Sequence, residues 1–313
     1  MIKKNIYGKD LKTRLLAASR DRLFNFVLAD GAARGAIVCG TRMVREMRVN
    51  HELGILETLV LGHGYLAGAL MSASLKGNDR IAIHVDCSGP IKGLVVEANA
   101  FGEVRGYLKN IPIPVDKPLN DFNLSPFYGA GFLSVTRYLE DAKHPFEGRV
   151  TLEYGSLAKD LAYYYLTSEQ VPTAINLSIQ FDPQGNVAGA GGMFLQAMPG
   201  AEDEVVERLE SLALEFPSLG AALGAGAAPD QLVLEQFAEL NPKFLANHRV
   251  EFMCHCSRDR TRSLLAMLPL ADLEDMLKNG PFPVELRCHN CNTAYLFDQM
   301  DIRKICGVRF ASN

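Results

Sequence analysis

The sequence lacks any concentration of positive charge. Its 32 lysines and arginines stand against 36 acids, a formal net charge of −4. Polyanion binding needs a concentrated basic surface, so composition gives no electrostatic reason to expect nucleic acid as the main partner. No P-loop, G-x-G-x-x-G, G-x-S-x-G or H-E-x-x-H pattern occurs. His51-Glu52 starts the last of these, but Ile55 stands where the second histidine belongs, and GHGYLAG (62–68) has the wrong glycine spacing. His84 and Asp86 alternate with Ile81, Ile83 and Val85, a pattern that places them on a solvated sheet face. The chain is therefore expected not to be an enzyme, leaving only a triad assembled from distant residues as the catalytic alternative. The start, MIKKNIYGKDLKTR, has no apolar core like that of a signal peptide, which predicts a cytoplasmic, reducing setting. No membrane association is expected. LETLVLGHGYLAGALMSASL (56–75) has spanning length, but Glu57, His63, three glycines and two serines interrupt it, so it reads as a buried core helix.

The chain has 313 residues, 48% hydrophobic and 22% charged, enough for a large core and more than one domain. Three regions differ in composition. Residues 1–196 mix strand and helix signals. DRLFNFVLAD and RGAIVCGTRM read as strands, and an apolar helix over 51–75 follows. RIAIHVDC, KGLVVEANA and GEVRGYLKN form an antiparallel meander, with GFLSVTRYLE and EGRVTLEYG as two further strands. Ser156 is a candidate N-cap for LAKDLAYYYLTSEQ, and NLSIQF pairs with VAGAGGMFLQAM across the turn Asp182–Asn186. Strands and helices do not alternate as in βαβ units, so the expected class is α+β: an antiparallel sheet domain covered by helices. Residues 197–247 hold nine acids and two bases. AEDEVVERLESLALEF has helical apolar spacing at Val205, Leu209, Leu212 and Phe216; LGAALGAGAAP offers no large anchoring side chain; Asp230 is a candidate cap for QLVLEQFAEL. Like charges and glycines predict marginally stable helices. Composition alone reads this segment as a helical linker with a solvated acidic face; the alternative is a segment poised to unfold. Residues 248–313 form a small tail with nine bases and eight acids, and SLLAMLPLADLEDMLKNG reads as a helix within it. A domain this small commonly needs a metal to hold together.

Four of the seven cysteines lie in that tail: Cys254 and Cys256 as C-x-C, Cys288 and Cys291 as C-x-x-C. Clustered cysteines in a reducing compartment indicate metal or redox chemistry before structural disulfides. Two close pairs around a short segment match a tetrahedral zinc site made of four cysteines, one Zn2+ per chain, which leaves no open position for catalysis. His255 and His289 lie inside the pairs and can replace a sulfur, but sulfur is the softer ligand and four are present. Thiolates are also what oxidants attack. Oxidation could join sequence neighbours, and a disulfide closed across one residue is strained and readily reduced. Cys39 and Cys87 read as small buried hydrophobes, and Cys306 stands alone. Arg258, Arg260 and Arg262 after the first pair suggest an alternative, a zinc-ribbon nucleic-acid binder, with Phe252, Phe282, Tyr295, Phe297 and Phe310 as its only stacking groups.

C-x-C, a 31-residue spacer and C-x-x-C near the end of a chain of this size resemble the redox-regulated heat-shock chaperones of bacteria, the 33 kDa chaperonins. The motif is highly specific, and the likeness covers nearly the whole chain. LKGNDRIAIHVDCSGPIKGLVVEANAFGEVRGYLKN resembles the family's central sheet, FEGRVTLEYGSLAKDLAYYYLTSEQVPTAI its N-domain, and AGGMFLQAMPGA its entry into the linker. The resemblance implies an ATP-independent holdase. Zinc held by Cys254, Cys256, Cys288 and Cys291 keeps it weakly active. Oxidants form the Cys254–Cys256 and Cys288–Cys291 disulfides, zinc leaves, and the tail (248–313) and linker (197–247) unfold to bind unfolding client proteins. The active form is expected to be a homodimer. The chain departs from the better-known members in its small-residue GAALGAGAAP and in its additional thiols Cys39, Cys87 and Cys306.

Overall fold

The computed structural model describes residues 1–4, 21–115 and 123–310, with side chains described up to Gly307, so Arg309 and Phe310 lie outside the described side chains. It divides into two compact units, Lys4–Phe252, and Met1–Lys3 with Met253–Asn313.

The larger unit begins with the hairpin β1 (Arg22–Leu28) and β2 (Ala33–Cys39), followed by helices α1 (Thr41–His51) and α2 (Ile55–Ser72). A meander comes next: β3 (Arg80–Cys87), β4 (Gly93–Asn99) and β5 (Glu103–Leu108). After the short α3 (Ser125–Tyr128) come β6 (Gly131–Tyr138), β7 (Phe146–Thr151), α4 (Leu157–Ser168) and the hairpin β8 (Thr173–Phe181) and β9 (Val187–Ala197). The acidic segment forms α5 (Asp203–Glu215), α6 (Leu219–Gly224) and α7 (Pro229–Gln236), and β10 (Lys243–Arg249) and β11 (Glu251–Phe252) close the unit. One sheet has the order β10-β1-β2-β9-β8, the other β11-β5-β4-β3-β6-β7. All pairings are antiparallel except β11 with β5. The class is α+β, as the sequence predicts.

Helix α2 has the length and composition of a membrane span, yet it packs against β3, β4 and β5 of one sheet and β2, β8 and β9 of the other. Its apolar surface is satisfied by protein on both sides, which makes it the core helix the interrupted sequence suggests. RGAIVCGTRM is not one strand. The strand ends at Cys39, and Thr41 opens α1, which buries Met43, Val44 and Met47 at helical spacing. Ser156 does occupy the N-cap of α4, but its hydroxyl caps nothing. The buried Asp160 carboxylate in the first turn instead reaches back and fixes the chain entering the helix, accepting from the backbone N–H of Glu153, Tyr154 and Ser156 at 2.9–3.0 Å. Asp230 is likewise not a cap. It lies in the first turn of α7, behind Ala228 as N-cap and Pro229 at the first helical position, where proline's fixed φ and missing N–H cost nothing.

The acidic segment packs more closely than its composition suggests. Leu209, Leu212, Phe216, Leu219, Leu223, Val233 and Phe237 are buried against Phe26, Leu28, Ile37, Met193 and Leu195 of β1, β2 and β9. Phe216 stacks on Phe237 with ring centroids 5.7 Å apart. The small residues of LGAALGAG are anchored by being small. A Cβ on Gly189 of β9 would lie 2.2 Å from the Gly220 carbonyl oxygen and 2.4 Å from the Gly224 nitrogen. Glycine thus lets the α6 backbone rest on the sheet. Ser178 on β8 fixes the contact: it accepts from Gly220 N–H at 3.0 Å and meets the Ser218 hydroxyl at 3.0 Å.

In the smaller unit α8 (Arg258–Leu265) and α9 (Leu270–Asn279) precede the hairpin β12 (Val284–Arg287) and β13 (Ala294–Phe297), and α10 (Gln299–Phe310) ends it. SLLAMLPLADLEDMLKNG therefore forms parts of two helices and not one. Pro269 cannot continue a helix begun before it and serves as the N-cap of α9. Leu265, Leu273, Tyr295, Phe297, Ile302, Ile305 and Cys306 form this unit's core.

Candidate metal centre

Cys254 and Cys256 lie in the irregular segment between β11 and α8, and Ser257 caps α8 by accepting from the Arg260 N–H at 3.2 Å. Cys288 and Cys291 sit in the turn between β12 and β13. That turn is a tight knuckle: Cys288 N–H donates to the Thr293 carbonyl at 3.0 Å, and the Cys291 and Asn292 N–H groups donate to the Cys288 carbonyl at 3.3 and 2.7 Å. Asn292 takes the left-handed φ of 53° that closes it, a conformation asparagine tolerates.

The four sulfurs lie within 4.8 Å of one another. Cys254 and Cys288 are 3.8 Å apart, Cys256 and Cys291 3.3 Å. Four thiolates about 2.3 Å from one ion would be separated by roughly 3.8 Å, so the donor set and its spacing fit a tetrahedral metal site. Neither His255 nor His289 joins the cluster; both are exposed. None of the seven cysteines forms a disulfide. The cluster does not ionise evenly. Hydrogen bonds from Cys288 and then Cys291 hold the Cys254 thiol far below the usual range; the bond with Cys254 pushes Cys288 up to about 11, and bonds with Cys254 and then Cys288 raise Cys291. Adjacent sulfurs cannot all carry charge unless a cation sits among them.

The cysteine motif does not reveal the side chains that support it. The Tyr295 hydroxyl lies 3.1 Å from the Cys256 sulfur, and the Cys291 thiol donates to Thr293 Oγ1 at 3.2 Å. Both residues follow the second pair within four positions and are buried. Tyr295, a base-stacking candidate by sequence, instead has its ring in the core of the smaller unit. Arg258 donates to Asp301 at 2.6 Å and lies over the Phe297 ring at 4.9 Å, while Arg260 and Arg262 are exposed. Cys39 is buried in the core against the acidic segment, Cys87 is half-buried with its thiol pushed up by desolvation, and Cys306 is buried beside Ile302.

Comparison with known proteins gives this geometry a lineage. The family model described as Hsp33 protein matches residues 21–298. The chain belongs to the Hsp33 family. A 33 kDa chaperonin of Desulforamulus reducens is 36% identical over 91% of this chain and 97% of its own length. One from Ruminiclostridium cellulolyticum is 35% identical over the same share of this chain and 97% of its own. The crystal structure of the 33 kDa chaperonin from Thermotoga maritima superposes with a TM-score of 0.84 at 31% identity, covering 93% of this chain and 99% of that one. The family is one of chaperones, and the four-cysteine cluster lies inside the region its relatives share.

Proposed function

We propose that the chain is a cytoplasmic, ATP-independent holdase switched on by oxidation. The observation that carries this reading is the convergence of four closely spaced thiols, none in a disulfide, from two chain segments, in a unit whose own apolar core is small. In the reduced state Cys254, Cys256, Cys288 and Cys291 hold one Zn2+, and bound zinc in such domains is worth on the order of 10–16 kcal/mol of folding free energy. Oxidation to the Cys254–Cys256 and Cys288–Cys291 disulfides removes all four ligands at once, so the tail (248–313) loses what holds it. Cys254 lies two residues beyond β11, and β10 pairs with the edge of β1, so unfolding of the tail releases the strand that ends the acidic segment. The linker helices (197–247) then leave β1, β2 and β9. The apolar face thus uncovered is available to unfolding client proteins, or to a second copy in the active homodimer.

The experiment loads the reduced protein with zinc and adds peroxide or hypochlorite under mild heat. Suppression of aggregation of an unfolding client is then followed by light scattering. Suppression is expected to rise as zinc leaves. Zinc loss with no gain in suppression overturns the proposal.

A further inference from the structure

The smaller unit contains residues from the opposite end of the chain. Met1, Ile2 and Lys3 belong to it, although about 250 residues separate them from the cysteines. Their contacts converge on the metal centre. The Met1 amino group donates to the Cys256 carbonyl at 2.7 Å. Ile2 N–H donates to Thr293 Oγ1 at 3.2 Å, and Thr293 Oγ1 donates to the Ile2 carbonyl at 3.4 Å. The same oxygen receives the Cys291 thiol at 3.2 Å. Thr293 and Cys291 are both buried, whereas the Ile2 side chain is 64% exposed, so residue 2 acts there through its backbone.

We propose that residues 1–2 are a working part of the metal centre: their backbone clasps the Thr293 hydroxyl, and Thr293 positions the Cys291 sulfur for the metal. This inference rests on the zinc reading of the cluster given above. A threonine hydroxyl has one hydrogen to donate and two lone pairs to accept with. With Cys291 as a free thiol, Oγ1 accepts from both Cys291 and Ile2 N–H and donates to the Ile2 carbonyl, which is the arrangement observed. With Cys291 as a metal-bound thiolate, the sulfur no longer donates. The hydroxyl hydrogen then turns from the longer 3.4 Å contact with the Ile2 carbonyl to the sulfur at 3.2 Å, while Ile2 N–H continues to donate to Oγ1. The clasp therefore survives metal binding, and in that state orients a hydrogen bond onto the thiolate. Partners that orient a metal ligand are worth about 10–100-fold in metal affinity. Thr293 is thus a positioning residue, and residues 1–2 position it.

The test uses the full, reduced, zinc-loaded chain and two readouts: the rate of zinc transfer to a competing chelator, and hydrogen exchange of the Ile2 amide. Thr293→Val keeps the shape and removes the hydroxyl; it should speed zinc release about tenfold and abolish protection of the Ile2 amide. Thr293→Ser restores the hydroxyl and should return both towards the original values. Ile2→Pro, with Met1 confirmed present by intact mass, removes the N–H donor and should speed release by several-fold, whereas Ile2→Leu keeps the donor, a large side chain and Met1 and should change nothing. The proposal is overturned by an Ile2 amide that exchanges unprotected in the original chain, or by Ile2→Pro and Thr293→Val releasing zinc at the original rate. A clasp that holds zinc in a protein whose oxidation protects no client supports this inference while removing the holdase reading.

Discussion

Replacing Gly189 by alanine should release the acidic segment without any oxidant. Gly189 does not have a positive φ, so the strand backbone itself accepts alanine. The obstacle is α6: the new Cβ would stand 2.2 Å from the Gly220 carbonyl oxygen, 2.4 Å from the Gly224 nitrogen and 2.8 Å from the Gly224 Cα, all backbone atoms that cannot rotate away. The helix must either strain, at about 1–3 kcal/mol for overpacking, or lift off. Lifting off forfeits the burial of Leu219 and Leu223, about 1.5–3 kcal/mol each, partly offset by the chain entropy the six residues regain. Alanine's lower conformational entropy cost in a strand is the same in the docked and released states and cancels. The net bias towards the released state is on the order of 1–2 kcal/mol, about tenfold in population. Gly224→Ala is the internal control, because its Cβ would meet only ordinary contacts at 3.4 Å and beyond. Reduced, zinc-loaded Gly189→Ala should bind more of a hydrophobic dye and suppress client aggregation measurably, and Gly224→Ala should do neither. If both variants match the parent protein in dye binding, thermal stability and client suppression, the close packing of α6 does not hold the segment down.

Phe237→Ala should destabilise the larger unit by about 3–5 kcal/mol, since Phe237 is fully buried between Phe216 and Phe26; thermal unfolding of the reduced protein measures it. Tyr295→Phe keeps the buried ring and removes the hydroxyl beside Cys256. It should weaken zinc affinity up to about tenfold in a chelator competition, with the tail's helical signal unchanged. Asp21 caps the start of α1, accepting from Arg42 and Met43 N–H at 3.1 and 2.6 Å, and burial raises its carboxyl from 3.8 to about 7. A raised acid is stabilising when protonated, so its contribution is fully present below about pH 4 and is lost as pH rises through about 7. Asp21→Asn should flatten that part of the stability profile between pH 4 and 7 in denaturant titrations; an unchanged slope would mean that Asp21 does not titrate there.

The four-cysteine cluster is the most legible feature because its chemistry is local. Two cysteine pairs specify a four-sulfur cluster wherever the chain carries them. What supports them is not legible. Thr293 binds residue 2 across 291 positions, a relation only the folded chain creates. The meander and the β8–β9 hairpin announce themselves by alternation and turn residues. β10 does not, because nearly all its residues are exposed and it exists by pairing with the free edge of β1. Helix α1 is hidden behind an apolar strand that runs up to it, with Gly40 the sole break. The glycines of LGAALGAG read as looseness, since composition shows what a residue lacks and not what its absence lets approach. Pro269, by contrast, is a visible helix breaker inside an otherwise helical stretch.

The central claim is that one set of four thiols both holds zinc and senses oxidant. Zinc content and disulfide connectivity followed together on the reduced protein during stepwise addition of peroxide test it most directly. The account predicts one zinc per chain at the start, lost in step with four thiols, with Cys254 joined to Cys256 and Cys288 to Cys291 at the end. Zinc retained after those four thiols are oxidised, or zinc lost while they stay reduced, would contradict it.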